Sequence, residues 1–211
     1  YNDEKLTAYE IGIKTTIGRV ARFNATAFYY DYKDFQALTF DPPSAFITNA
    51  ASAKIKGAEF ELVANPFQGL DVNLGLSLLD TDADNITLPD GSTVDNRKLV
   101  LAPKTSFNAL VRYTHPVGEG YLSAQVDMSY QSAHYFDVFN QPLARENGYD
   151  VWNARLAYLF PGERFEVAIW GKNIFKEKYL AYTFDFTSDF GFNQLFYGAP
   201  ATYGLTASFR Y

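Results

Sequence analysis

The chain has 211 residues, a net charge of −6 and no cysteine, which excludes a disulfide framework, a thiolate metal site and a cysteine nucleophile. With no basic tract, the balance also argues against nucleic acid as a partner. No apolar run reaches the roughly 18 residues of a transmembrane helix, yet aromatics make up 18% of the chain, and so aromatic a chain of modest charge is not disordered.

Taken in chain order, period-two alternation predicts nine strands, each with one apolar and one polar face. Tyr9–Thr15, Phe23–Tyr29 and Ala58–Ala64 alternate weakly. In Leu70–Leu78 the even positions are apolar, opposite Asp71, Asn73, Gly75 and Ser77. Phe107, Ala109, Val111 and Tyr113 form the next apolar face. In Tyr121–Tyr130 it is Leu122, Ala124, Val126, Met128 and Tyr130. Trp152, Ala154, Leu156, Tyr158 and Phe160 follow, then a weaker Phe165–Gly171. The last strand places Tyr203, Leu205, Ala207, Phe209 and Tyr211 opposite Thr202, Gly204, Thr206, Ser208 and Arg210.

The connections alternate in length. Short ones fall at Gly18-Arg19, Asn65–Gly69, Pro116–Gly120 and Pro161–Glu163, and long ones at about Asp41–Phe46, Asp80–Pro103, Asp137–Gly148 and Lys178–Pro200. Short turns at one end and long loops at the other are the asymmetry of an antiparallel up-and-down transmembrane β-barrel, whose tilted strands cross the hydrocarbon in about 9–11 residues. The charged polar faces suit a wet lumen rather than a packed core. Tyr113, Tyr130, Trp152, Tyr158, Phe160, Phe209 and Tyr211 cap the apolar stripes as an aromatic girdle facing outer-membrane lipid.

The first and last strands both point toward the short-turn rim. Nine such strands cannot close with antiparallel pairing throughout, and an open edge is not tolerated in lipid. The chain, which begins neither with Met nor with a charged-then-apolar leader, is therefore expected to be the C-terminal part of one larger barrel, its missing part holding an odd number of strands.

Six segments in order carry a resemblance. They are Tyr9-Glu10-Ile11-Gly12-Ile13-Lys14; Ala27-Phe28-Tyr29-Tyr30-Asp31-Tyr32-Lys33-Asp34; Asn49-Ala50 followed by Ile55-Lys56-Gly57-Ala58-Glu59-Phe60-Glu61; Leu101-Ala102-Pro103-Lys104; Gly171-Lys172-Asn173-Ile174-Phe175-Lys176-Glu177-Lys178-Tyr179; and Gly198-Ala199-Pro200-Ala201-Thr202-Tyr203-Gly204. Together they resemble the C-terminal barrel region of TonB-dependent outer-membrane receptors, with Lys176 where Asp is commoner and Ala201 in place of Arg. The resemblance implies a 22-stranded barrel with an N-terminal plug, of which this chain would hold the last nine strands. It implies uptake of a scarce nutrient, most often a ferric siderophore, energised by the TonB-ExbB-ExbD complex through a TonB box in the absent N-terminal part. It also implies that Tyr203, Leu205, Ala207, Phe209 and Tyr211 resemble the signal read by the barrel-assembly machinery.

Candidate ligand contacts are the aromatics of the longest loop, Tyr182, Phe184, Phe186, Phe190, Phe192, Phe196 and Tyr197, with Tyr135, Phe136 and Phe139. Exposed aromatic clusters often mark sites, although such rings also pack on neighbouring loops and headgroups. Asp80, Asp82 and Asp84 invite a calcium reading, but Asn85 stands where an EF-hand needs Gly, and Gly91 where it needs Glu. A solvated acidic loop is the better reading. His134 shares a face with Ser132 and not with Asp127 or Ser129, which disfavours a Ser-His-Asp site, and His115 lies at a short turn. The expected reading has no catalytic residue, cofactor or metal.

The lumenal charges Glu10, Lys14, Glu59, Glu61, Asp71, Arg112, Asp127, Arg155, Glu166 and Arg210 read mainly as cross-strand pairs, with plug or ligand contact as the alternative, and Asp127 is expected to meet Arg155. The function expected is a receptor rather than an enzyme. A phospholipase-like barrel, which needs a lipid-facing Ser-His pair, and a passive porin, which lacks a plug, are the alternatives.

Overall fold

The computed structural model describes residues 3–41, 44–49, 52–87 and 92–211. Ala50 and Gly91, used above, lie outside the described residues. In chain order the strands are β1 (Lys5–Ile17), β2 (Ala21–Lys33), β3 (Gln36–Asp41), β4 (Ser44–Asn49), β5 (Ser52–Ala64), β6 (Leu70–Asp84), β7 (Ile86–Thr87), β8 (Thr93–Val94), β9 (Thr105–Val117), β10 (Gly120–Tyr135), β11 (Arg145–Leu159), β12 (Phe165–Lys172), β13 (Leu180–Phe186), β14 (Phe192–Tyr197) and β15 (Thr202–Phe209). Nine of them form one sheet in the order β1-β2-β5-β6-β9-β10-β11-β12-β15, every neighbouring pair antiparallel. These are the nine strands that alternation predicts. β1 and β15 are the two edges, and both run toward the short-turn rim.

The remaining strands are three two-stranded hairpins, β3–β4, β7–β8 and β13–β14, set in long connections. The expected loops are thus partly ordered. The connection expected from Asp80 begins later, because β6 runs on to Asp84, and the one expected to end at Gly148 ends where β11 starts at Arg145. The longer pairing keeps those backbone groups hydrogen-bonded above the apolar band.

Register confirms the two faces. Directly opposed residues share a face, and Tyr9 meets Tyr29, Phe107 meets Tyr130, Met128 meets Trp152 and Phe165 meets Phe209 on the apolar side. From Trp152 to Phe160 is about 27 Å along the strand, or about 20 Å of thickness at the tilt usual for such barrels, near the height of their apolar band. On the polar side Asn24 meets Glu61, Asp71 meets Arg112 and Gln125 meets Arg155.

The expected Asp127–Arg155 pair is corrected. The two do share the polar face, but Asp127 is level with Asn153, one step from Arg155. Asp127 accepts hydrogen bonds from Asn153 Nδ2 at 2.7 Å and Gln125 Nε2 at 3.1 Å. Arg155 instead reaches Glu166 at 2.5 Å. Between them lie the directly paired Ala157 and Ala168, both buried, and these small side chains leave room for the long arms to span two rungs.

One close approach ties the last two strands together. Trp170 faces Gly204 across β12–β15, and its indole N–H donates to Thr206 Oγ1 at 3.0 Å. A Cβ on residue 204 would stand 2.2 Å from the Trp170 ring. Gly204→Ala in the full-length protein should therefore force the indole off the strand and break that bond, at about 1–3 kcal/mol. Thermal unfolding read by circular dichroism checks this, with Thr202→Ala as the neutral comparison; equal midpoints would contradict the stacking.

Candidate functional site

The site is built at the long-connection rim, where the polar face rises above the apolar band. Ala53 and Ala83 oppose each other there and are fully buried, with Ile86, under Tyr32, Phe35, Val94, Leu99, Val138 and Phe139. Residues from the connections after β2, β6 and β10 thus meet over one small floor. Two alanines are what the floor requires, because larger side chains would hold those connections off the wall.

Polar clamps fix the same connections. Lys98 Nζ donates to Asp80 at 3.0 Å, to Asp82 at 2.6 Å and to the Thr81 carbonyl at 2.6 Å. The acidic triplet expected to be a solvated loop is instead strand, and a lysine ammonium takes the place a cation would have. Asp84 accepts the Asn96 N–H at 3.0 Å. Among the described residues no cluster of His, Asp and Glu is arranged to hold a metal. Asn140 ties the next connection in, accepting the Lys98 N–H at 2.6 Å and donating to its carbonyl at 2.9 Å.

The expected aromatic loop is the β13–β14 hairpin, closed by the four-residue helix α1 (Thr187–Phe190). Its base is anchored by Glu146, which is buried, stands opposite His134 and accepts the Leu180 N–H at 2.6 Å. Beside it Tyr149 and Tyr179 stack at 4.1 Å. Asn193 links the hairpin to the connection before β11, donating to the Leu143 carbonyl at 3.2 Å.

Aromatic rings then run in contact along the hairpin. Phe136 packs on Tyr182 at 5.4 Å, Tyr182 on Phe184 at 4.9 Å and Phe184 on Phe186 at 5.6 Å. Between this row and the connection after β10 lies a cleft of about 310 Å³, walled by Phe136, Phe139, Tyr182, Phe184 and Phe186. Five of the ten candidate ligand contacts therefore converge. Phe190 and Phe192 sit at the hairpin tip against Phe186, Phe196 lies on the far side of Phe184, and Tyr197 points away and is 61% exposed. Tyr135 is held under the Arg145 guanidinium at 5.9 Å, outside the cleft.

Sequence reasoning missed Phe35, Val100, Asp137 and Asp185, which also line the cleft. Burial pushes the Asp137 carboxyl up from its ordinary value, and the nearby Asp185 charge adds to this. Backbone N–H groups, including that of Gln141 at 3.2 Å, work in the opposite direction. The floor is thus apolar and one end is acidic. His134 belongs to the packing: its Nδ1 lies 3.1 Å from the Ser132 carbonyl, and its ring meets Phe136 edge-on at 5.2 Å. Among the described residues no hydrogen bond joins it to a serine hydroxyl.

Further down the polar face, Arg112 and Asp71 pair at 2.6 Å. Glu10 accepts the Tyr30 hydroxyl and Glu61 the Asn24 amide. Among the described residues Glu10, Glu59 and Glu61 enter no ion pair.

Residues 2–174 match the family model described as TonB dependent receptor-like, beta-barrel. Among solved structures, the ferric yersiniabactin uptake receptor FyuA from Yersinia pestis superposes with a TM-score of 0.80 at 19% identity, over 98% of this chain and 30% of that one. The siderophore receptor PiuA from Acinetobacter baumannii gives 0.75 at 17%, over 98% and 28%. The copper transporter OprC gives 0.72 at 16%, over 98% and 31%. At such identities the likeness speaks for a shared fold. The chain spans about three-tenths of the length of these structures.

Proposed function

This chain belongs to the TonB-dependent receptor-like β-barrel family, and from that premise we propose that it forms the C-terminal part of a bacterial outer-membrane receptor that takes up a scarce nutrient, most often a ferric siderophore in such receptors. The observation that carries the reading is the nine-stranded up-and-down wall, apolar on one face and charged on the other, with long connections gathered at one rim. Both edge strands point the same way, which supports a larger antiparallel barrel completed by an odd number of further strands. The lumenal carboxylates Glu10, Glu59 and Glu61, which enter no ion pair among the described residues, suit a wall that faces a plug. The rim with the aromatic cleft would face outward and meet the ligand, and TonB would supply the energy through a segment outside this chain. The family and its structural neighbours are receptors and transporters rather than enzymes.

The test is uptake by cells carrying the full-length protein, offered ferric siderophores, cobalamin, copper and oligosaccharides, with and without TonB. Uptake of one ferric chelate that stops when TonB is removed is the expected result. TonB-independent leakage of all solutes would establish the porin reading instead. Copper uptake would keep the mechanism and change the ligand.

A further inference from the structure

The charges around the aromatic cleft are of one sign. Its polar lining is Gln36, Asp137, Gln141, Thr183 and Asp185, with no lysine, arginine or histidine. Of the four connections that reach it, those of residues 34–51, 136–144 and 179–201 hold no basic residue at all, and every charged residue in them is an aspartate. The bases of this rim gather elsewhere. Lys98, Lys104, His134 and Arg145 line a separate hollow at the end of β10, which shares no lining residue with the cleft. Lys98 is held by Asp80 and Asp82, and Arg145 by Asn147 Oδ1 at 2.7 Å and the Tyr135 ring. His134 is buried against Phe136.

The two lining aspartates are engaged by neutral groups. Asp137 accepts backbone N–H groups, including that of Gln141 at 3.2 Å. Asp185 Oδ1 accepts the Thr187 N–H at 2.9 Å and the Thr187 hydroxyl at 2.5 Å. Such bonds fix the carboxylates without cancelling their charge, and among the described residues neither enters an ion pair. Asp185 is near enough to oppose the ionisation of Asp137. A cation in the cleft relieves that repulsion, and the faces of phenylalanine and tyrosine rings attract it as well. Aromatic walls with carboxylates and no base suit an ammonium group and repel an anion.

We propose that the cleft receives the alkylammonium arm of a cationic ferric chelate, and that Asp137 and Asp185 select it against anionic chelates. This rests on the receptor reading above and narrows its ligand. At about 310 Å³ the cleft is near the lower bound of small-molecule pockets, the size of an arm rather than of a whole chelate. The sign of the charge fixes the donor class. Three monoanionic hydroxamates just neutralise ferric iron, so a pendant ammonium leaves such a chelate positive, whereas three catecholates leave it trianionic.

The test is calorimetry on the full-length protein with three probes: a ferric trihydroxamate bearing a free amine, the same chelate acetylated on that amine, and a ferric triscatecholate. The amine chelate should bind about tenfold or more tighter than its acetylated form, and the triscatecholate should bind weakest. Asp137→Asn/Asp185→Asn keeps an acceptor oxygen in both turns. It should bring the amine and acetylated chelates within about twofold of each other and leave the acetylated one unchanged. Glu119→Gln, at the short-turn rim, should leave the preference as it is. Should the double variant not fold, Asp185→Asn alone decides by the same ratio. Equal binding of the amine and acetylated chelates, tighter binding of the triscatecholate, or a preference that survives in the asparagine variants overturns the proposal. So does TonB-dependent uptake of some other nutrient when none of the three probes binds, and in that case the receptor reading stands. Absence of any TonB-dependent uptake is failure of the receptor reading itself, seen before any chelate is compared.

Discussion

Asn173→Ala is expected to destabilise the last quarter of the chain by about 3–4 kcal/mol. Asn173 is 3% exposed and follows β12 directly. Its Nδ2 donates to the carbonyls of Glu177 at 2.9 Å and Ala199 at 3.1 Å, and its Oδ1 accepts the Glu177 N–H at 2.8 Å. One side chain thus ties the turn after β12 to the segment that leads into β15. Its removal loses three hydrogen bonds of about 1 kcal/mol each and leaves buried backbone groups unsatisfied. The backbone of Asn173 has a φ of +49°, which asparagine tolerates better than alanine.

This last term can be separated. Asn173→Gly keeps the permissive backbone and loses the same bonds, so it should be less damaging than alanine by about 1 kcal/mol. Hydrogen exchange on the full-length protein is the measurement. Protection should fall from Asn173 through Pro200 and hold in β5, β6 and β9. Uniform loss over the whole wall, or none, would mean that the turn is not held by this residue.

The faces of the nine strands were legible because alternation is local. Leu70, Val72, Leu74, Leu76 and Leu78 declare their side without reference to any partner, and one misplaced residue would flip them all. Register is a relation between strands, and it was less legible. Asp127 and Arg155 were placed level by counting from the short-turn rim, but β10 and β11 are joined through the long rim, and the true register is offset by two residues. The β13–β14 hairpin had its own alternation, with Tyr182, Phe184 and Phe186 against Thr183 and Asp185; set inside a long connection, it read as loop. Asn173 lay within a family-like segment, yet its bond to Ala199 joins residues 26 apart. The cleft was legible only as an aromatic excess. Phe35, Val100, Phe139 and Tyr182 come from four separate connections, and nothing local says they will line one cleft.

Phe184→Ala is expected to weaken binding of the transported ligand by about tenfold to a hundredfold while leaving the barrel intact. Interface energy concentrates in a few aromatic anchors set in a pocket, and Phe184 lines the cleft while being 38% exposed. Phe136 is the wrong residue for this test. It is 4% exposed, and emptying its site costs about 3–5 kcal/mol of packing, so lost binding could follow from a loosened hairpin. Phe190 is the proper comparison: it belongs to the same ring cluster, is 60% exposed and lies at the tip outside the cleft. Binding of the ferric chelate identified by uptake, measured on the full-length protein by calorimetry, should fall for Phe184→Ala and stay within about twofold for Phe190→Ala. Equal losses in both would place the ligand on the whole hairpin surface. No loss in either, with a lowered unfolding temperature for Phe184→Ala alone, would reduce the ring row to packing, because the cleft would then be a gap between connections rather than a place where the ligand stops.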